Sequence, residues 1–137
     1  MANELILHVE LEPAVGFTCA NSVGIEKGTL LELSDPMTVA KVTGAAPLII
    51  GVAAQEKIAN DGKTEISVYL RGIFIGVAGG SITVGDGLIG ENGTNELLTS
   101  TAPADEVEVC GIALETAVDG DTFKFLLNVG IGGSPET

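Results

Sequence analysis

The chain has 137 residues, nineteen acidic and six basic, giving a formal charge of −13 on a sequence that is 45% hydrophobic. That length makes one domain with a real core. The shortage of Lys and Arg argues against nucleic acid or an anionic membrane as partner, because binding to either depends on basic side chains meeting phosphate.

The mean hydropathy of +0.43 is high for a small monomer, so some apolar surface is expected to be hidden against other subunits while carboxylates face water. Met1-Ala2-Asn3-Glu4 lacks the basic region of a secretory signal, and no apolar run reaches transmembrane length, which points to synthesis and assembly in a cytoplasm. Leu5 to Glu12 then alternates. Leu5, Leu7, Val9 and Leu11 face one way, Ile6, His8, Glu10 and Glu12 the other, and Pro13 ends the strand. Residues 1–20 are therefore expected to form an N-terminal strand or arm. It either edges the chain's own sheet or adds to the sheet of a neighbouring subunit.

From residue 21 the chain repeats itself. VGIEKGTLLEL at 23–33 is echoed by ITVGDGLIG at 82–90, and LIIGVAAQEKIANDGKTEISVYLRGI at 48–73 by VCGIALETAVDGDTFKFLLNVGI at 109–131. Gly28 and Gly87 are 59 apart, Gly51 and Gly111 are 60 apart, and Gly62 and Gly120 are 58 apart. In the first copy Ile66, Val68 and Leu70 share a face. In the second, Phe123, Phe125, Leu127 and Val129 point in while Thr122, Lys124 and Asn128 point out. Asn60-Asp61-Gly62-Lys63 and Asp119-Gly120 supply the turns. Ala53–Asn60 has a weak helix signal bracketed by Gly51 and Gly62. A unit of this size cannot bury its faces alone. The expected fold is mainly β: a small barrel or sandwich built from two similar units over 21–131, with a flexible tail at 132–137.

The search for chemistry is empty. His8 is the only histidine and sits mid-strand, and Cys19 and Cys110 have no zinc-site spacing. They read as reduced, buried thiols, with a disulfide between them the minority reading. Asp119-Gly120-Asp121 lacks the ligands of a calcium loop. Glu91-Asn92-Gly93-Thr94-Asn95-Glu96 reads as a solvated loop with oxygens enough for weak cation binding. Val84-Gly85-Asp86-Gly87 lacks the Lys-Ser/Thr of a phosphate loop. Glu106 and Glu108 share a strand face around Val107 and so read as a solvated side. No catalytic residue, cofactor or metal is expected, and the chain is not read as an enzyme. A lipoyl- or biotinyl-carrier reading of 82–88 is a weaker analogy, since neither Lys41 nor Lys63 has the carrier lysine's neighbours.

IEKGTLLEL at 25–33, LIIGVA at 48–53, the Asp61-Gly62…SVYLRGI run to residue 73, ITVGDGL at 82–88 and CGIALETA at 110–117 together resemble the small capsid decoration, or cement, proteins of tailed bacteriophages. The resemblance covers about residues 20–130. It implies a β-rich, barrel-like virion protein, usually a homotrimer, bound outside an icosahedral head at local three-fold positions. There it would clamp neighbouring major capsid subunits after the shell expands. The major capsid protein and the chain itself are then the expected partners, with no nucleic acid and no membrane. Leu5, Ile6, Leu7, His8, Val9 and Tyr69 are the candidate capsid or subunit contacts, with Ile6 and His8 foremost. The rival is a ligand- or receptor-binding β module of a phage surface or tail structure, which would need an exposed platform built from Phe17, Phe74 and Tyr69.

Overall fold

The computed structural model describes residues 3–43, 48–91, 93–100 and 109–129. Asn92, the Glu106/Glu108 pair and the 132–137 tail lie outside them. The described residues form eleven strands: β1 (Ile6–Glu10), β2 (Val15–Thr18), β3 (Leu30–Asp35), β4 (Thr38–Lys41), β5 (Ile49–Ala53), β6 (Glu65–Tyr69), β7 (Arg71–Val77), β8 (Gly87–Gly90), β9 (Leu97–Thr99), β10 (Gly111–Ala113) and β11 (Thr122–Asn128). There is no helix among the described residues, and Ala53–Asn60 is not one.

The internal repeat is real. The first copy closes as a five-stranded barrel, β2-β4-β3-β5-β6, and the second forms the six-stranded sheet β1-β7-β11-β10-β8-β9. Strand for strand, β2 to β6 of the barrel correspond to β7, β8, β9, β10 and β11 of the sheet. Backbone hydrogen bonds show the correspondence directly. Ile25 and Lys57 exchange N–H···O bonds as Ile82 and Ala117 do, and Gly28 N–H donates to Ala53 as Gly85 N–H does to Ala113. Gly28 and Gly85 both have left-handed backbone, at φ +88° and +92°. The leading glycine of the second copy is therefore Gly85 and not Gly87, because what the site demands is a positive φ that only glycine takes cheaply.

Two other expectations shift. The strand-to-strand connections are longer than simple hairpins: residues 54–64 join β5 to β6, and mid-loop Lys57 bridges Ile25 before the turn. Residues 15–20 also belong to the first unit. β2 pairs with β6 through Phe17↔Ile66, and Phe17 and Cys19 lie in the barrel core.

Alternation decides burial. In the barrel, Phe17, Leu31, Val39, Ile66 and Val68 point inward around Cys19 and Ala53. In the sheet, the inward set is Phe74, Phe123, Phe125 and Leu127, with Phe74–Phe125 ring centroids 6.2 Å apart and Phe123–Phe125 5.8 Å. Each such side chain contributes about 1.5–3 kcal/mol on burial. This second core also receives Leu30, Ile49 and Val52 from the outside of the barrel, so the two units share one apolar contact.

Cys19 and Cys110 are both free and buried, one in each core. Burial pushes both thiols above their ordinary range, Cys110 to about 12. A folded pKa raised above the unfolded one stabilises below the unfolded value and is lost as pH climbs toward the folded value. For Cys110 that window opens near pH 9 and costs about 1–2 kcal/mol by pH 10. An aromatic disulfide reagent at pH 8 is thus expected to find no fast thiol in the native protein and two after unfolding. A fast native thiol would show that one of the cores opens readily.

Candidate interaction surface

The candidate contacts cluster on β1, and its pairing decides which of them are available. β1 runs antiparallel to β7 with Ile6 opposite Ile75, Leu7 opposite Phe74, Val9 opposite Ile73 and Glu10 opposite Gly72. His8 has no partner residue and forms a bulge. One extra residue reverses the alternation. Ile6 and Val9 therefore share the outward side instead of opposing each other, and Val9 and Leu11 do not continue the buried side begun by Leu5 and Leu7. Ile6 is 60% exposed and Val9 40%, and His8 also faces solvent. Leu5 is 5% exposed and belongs to the second core, which removes it from any surface. Leu7 is half-buried against that core. Tyr69 packs edge-on to Phe74, with ring centroids 5.8 Å apart, and is half-buried too.

β1 is thus an edge strand of its own chain's sheet. The His8 bulge, Glu10 just inside its end, and Glu12 and Pro13 beyond it are the devices that blunt an edge against further strand pairing. The side chains of β1, not its backbone edge, are what it offers a partner.

Two polar residues outside the candidate set hold the units together. Asn95 is buried, at φ +60°. Its Oδ1 accepts from Leu30 N–H at 2.7 Å, and its Nδ2 donates to Gly28 O at 3.0 Å and Asn3 O at 2.8 Å. One amide therefore ties the second unit to the barrel and to the chain's start. Its place in Asn92-Gly93-Thr94-Asn95 suggested only a loop; the usable signal was that Asn is the non-glycine residue most at home in left-handed backbone. Lys57 is also buried. Its Nζ donates to Asn21 O at 2.9 Å, Ile58 O at 2.7 Å and Asp61 Oδ1 at 2.8 Å, using all three donors. The Lys57 ammonium, followed by the Lys63 N–H, holds the Asp61 carboxyl below its ordinary range. With every donor engaged, Lys57 is a structural cation where the second copy has Ala117.

The remaining features carry little chemistry. Among the described residues no three His, Cys, Asp or Glu side chains gather where a metal could be held. An open groove of about 450 Å³ runs beside Glu4, Leu5, Ile6, Leu7 and Lys27, and one of about 310 Å³ beside Ile25, Glu56, Lys57 and Ile58. All four phenylalanines are buried, at 6%, 1%, 1% and 0% exposure for Phe17, Phe74, Phe123 and Phe125. The aromatic platform that a receptor-binding module would need is not on the surface.

The phage cement protein family model matches residues 10–129, nearly the whole described chain. The chain belongs to the phage cement protein family. It is accordingly a capsid-associated structural protein of a phage. Among solved structures it is similar to the head fiber gp8.5 N base in bacteriophage phi29, at 20% identity and a TM-score of 0.56, covering 84% of this chain and 94% of that one. At that identity the likeness speaks for the fold. A comparison with curated proteins finds no match.

Proposed function

We propose that this cement protein binds the outer surface of the phage head as a homotrimer and stabilises the expanded shell by clamping neighbouring major capsid subunits, without catalysis. The observation that carries this reading is the family match across 10–129. It is supported by a surface with exposed aliphatics, Ile6, Ile58 and Val118 among them, and no aromatic platform. Ile6 and His8, outward on β1, take the shell contact, while Leu7 and Tyr69 brace that strand from behind. Many copies on one lattice make weak individual contacts sufficient.

The test is physical. Expanded heads carrying the protein should retain their DNA to a higher temperature than heads prepared without it, and the chain should co-sediment with empty expanded shells. Ile6→Glu combined with His8→Glu should reduce that co-sedimentation at least tenfold. Full binding by the double variant would remove β1 from the contact. No binding by the parent protein would remove the function.

A further inference from the structure

The two units bury the same outward row of residues to very different extents. In the barrel, Leu30 pairs with Val52 and Val52 with Tyr69, a row on the outside of the barrel wall. Leu30 and Val52 are each 1% exposed, because the second unit covers them. Gly90 of β8 comes so close that a methyl group there would sit 3.1 Å from Ile49 Cδ1 and 3.6 Å from Leu30 Cδ1. The equivalent row of the second unit is Gly87–Ile112–Leu126, in the same register. It continues across β7 to Ile73 and across β1 to Val9. It is covered only in part: Val109 lies over its Gly87 end, 3.6 Å from where a methyl group there would sit, Leu126 and Ile73 are half-buried, and Ile112 and Val9 are 37% and 40% exposed.

We propose that this partly exposed row, running from Ile112 through Leu126 and Ile73 to Val9, is the surface on which a second copy of the chain packs. The proposal names the self-contact within the homotrimer reading and rests on that reading, but not on head binding. Two observations select a second copy as the occupant. The first is likeness: the barrel's version of this row, Leu30 and Val52, is buried against a unit of the same fold, which shows the kind of surface such a row fits. The second is charge. Two chains of −13 repel, so copies must meet where carboxylates are scarce. Strands β7 to β11 contain no Asp or Glu, and their outward side carries Arg71 and Lys124; the carboxylates nearest the row are at its margins, Glu10 at the end of β1 and Glu115, which accepts from Lys124 N–H at 2.8 Å. An apolar row with Arg71 and Lys124 on its side of the sheet also suits the acidic flank of a neighbouring copy.

The experiment is the native mass of the free protein by sedimentation at micromolar concentration, with no heads present. The parent should sediment as a multiple of 13.9 kDa, and Ile112→Glu should fall to the monomer. Val9→Glu, at the far end of the row, is the second variant in case Ile112→Glu fails to fold, with the parent's circular dichroism as the criterion of folding. Ile58→Glu, on the opposite unit's loop, should leave the mass unchanged. A parent that stays monomeric overturns the proposal, as does a folded row variant that keeps the parent's mass. If the row variants are monomeric yet heads still bind them, the self-contact stands and only the need for it on the head is lost. If the parent self-associates through this row but ignores heads, the proposed function fails and the inference survives.

Discussion

Replacing Asn95 by Ala is expected to lower the unfolding free energy by about 2–4 kcal/mol, a large share of what a domain of this size has. Three partners lose their bonds at once: Leu30 N–H, Gly28 O and Asn3 O. Leu30 N–H becomes an unmet buried donor, at about 1–3 kcal/mol, while Gly28 O keeps the bond it accepts from Leu5 N–H at 2.9 Å and water can reach Asn3 O. The residue also sits at φ +60°, where alanine is less at ease than asparagine. Asn95→Asp should recover part of the loss, since it keeps the acceptor for Leu30 N–H but sets carboxylate oxygens against two carbonyls. Urea unfolding checks both, with an unchanged slope and a lowered midpoint. A loss under about 1 kcal/mol for the alanine variant would mean that the two units do not depend on this amide for their docking.

Asn95 also shows where sequence reasoning stops. The repeat was legible because its signals are local: alternation over 65–70 and 122–129, and glycines where the backbone turns left-handed or strands come close. The inward faces follow from the same alternation, and the structure buries Ile66, Val68, Phe123, Phe125 and Leu127 accordingly. What the pattern could not carry was any contact spanning the chain. Asn95 meets Gly28 across 67 residues and Asn3 across 92. Lys57 meets Asn21 across 36. Nothing near either residue in sequence announces those partners.

The β1 error has a different origin. Strict alternation from Leu5 to Leu11 predicts one buried side, but the His8 bulge inserts a residue without a partner and re-aims everything after it. A bulge leaves no mark in a hydropathy pattern. Family resemblance filled the opposite gap: it supplied a function that this chemistry-poor chain could not announce through motifs, and the match over 10–129 now shows the family. The asymmetry between the units, one row buried and the other partly exposed, comes from packing between distant parts of the chain, and Val52 and Ile112 are interchangeable as letters.

The repeat makes a last, paired expectation. Gly51 and Gly111 hold equivalent places in β5 and β10, and a methyl group on either would strike a backbone carbonyl oxygen of the neighbouring strand, that of Tyr69 in one case and Leu126 in the other. A backbone atom within a paired sheet cannot swing aside as a side-chain end can. Gly51→Ala and Gly111→Ala are therefore each expected to cost about 3 kcal/mol or more, at the severe end of overpacking. The turn glycines provide the contrast. Gly62 and Gly120 have φ of +87° and +88° with nothing within 4 Å of an added methyl, so alanine there pays only for the left-handed backbone, about 1–2 kcal/mol. Thermal unfolding of the four variants should fall into two pairs, split by the role of the glycine and not by the unit that carries it. A loss at Gly51 much larger than at Gly111 would instead show that the closed barrel resists distortion and the open sheet yields, with β10 moving outward on the side where Ile112 is uncovered.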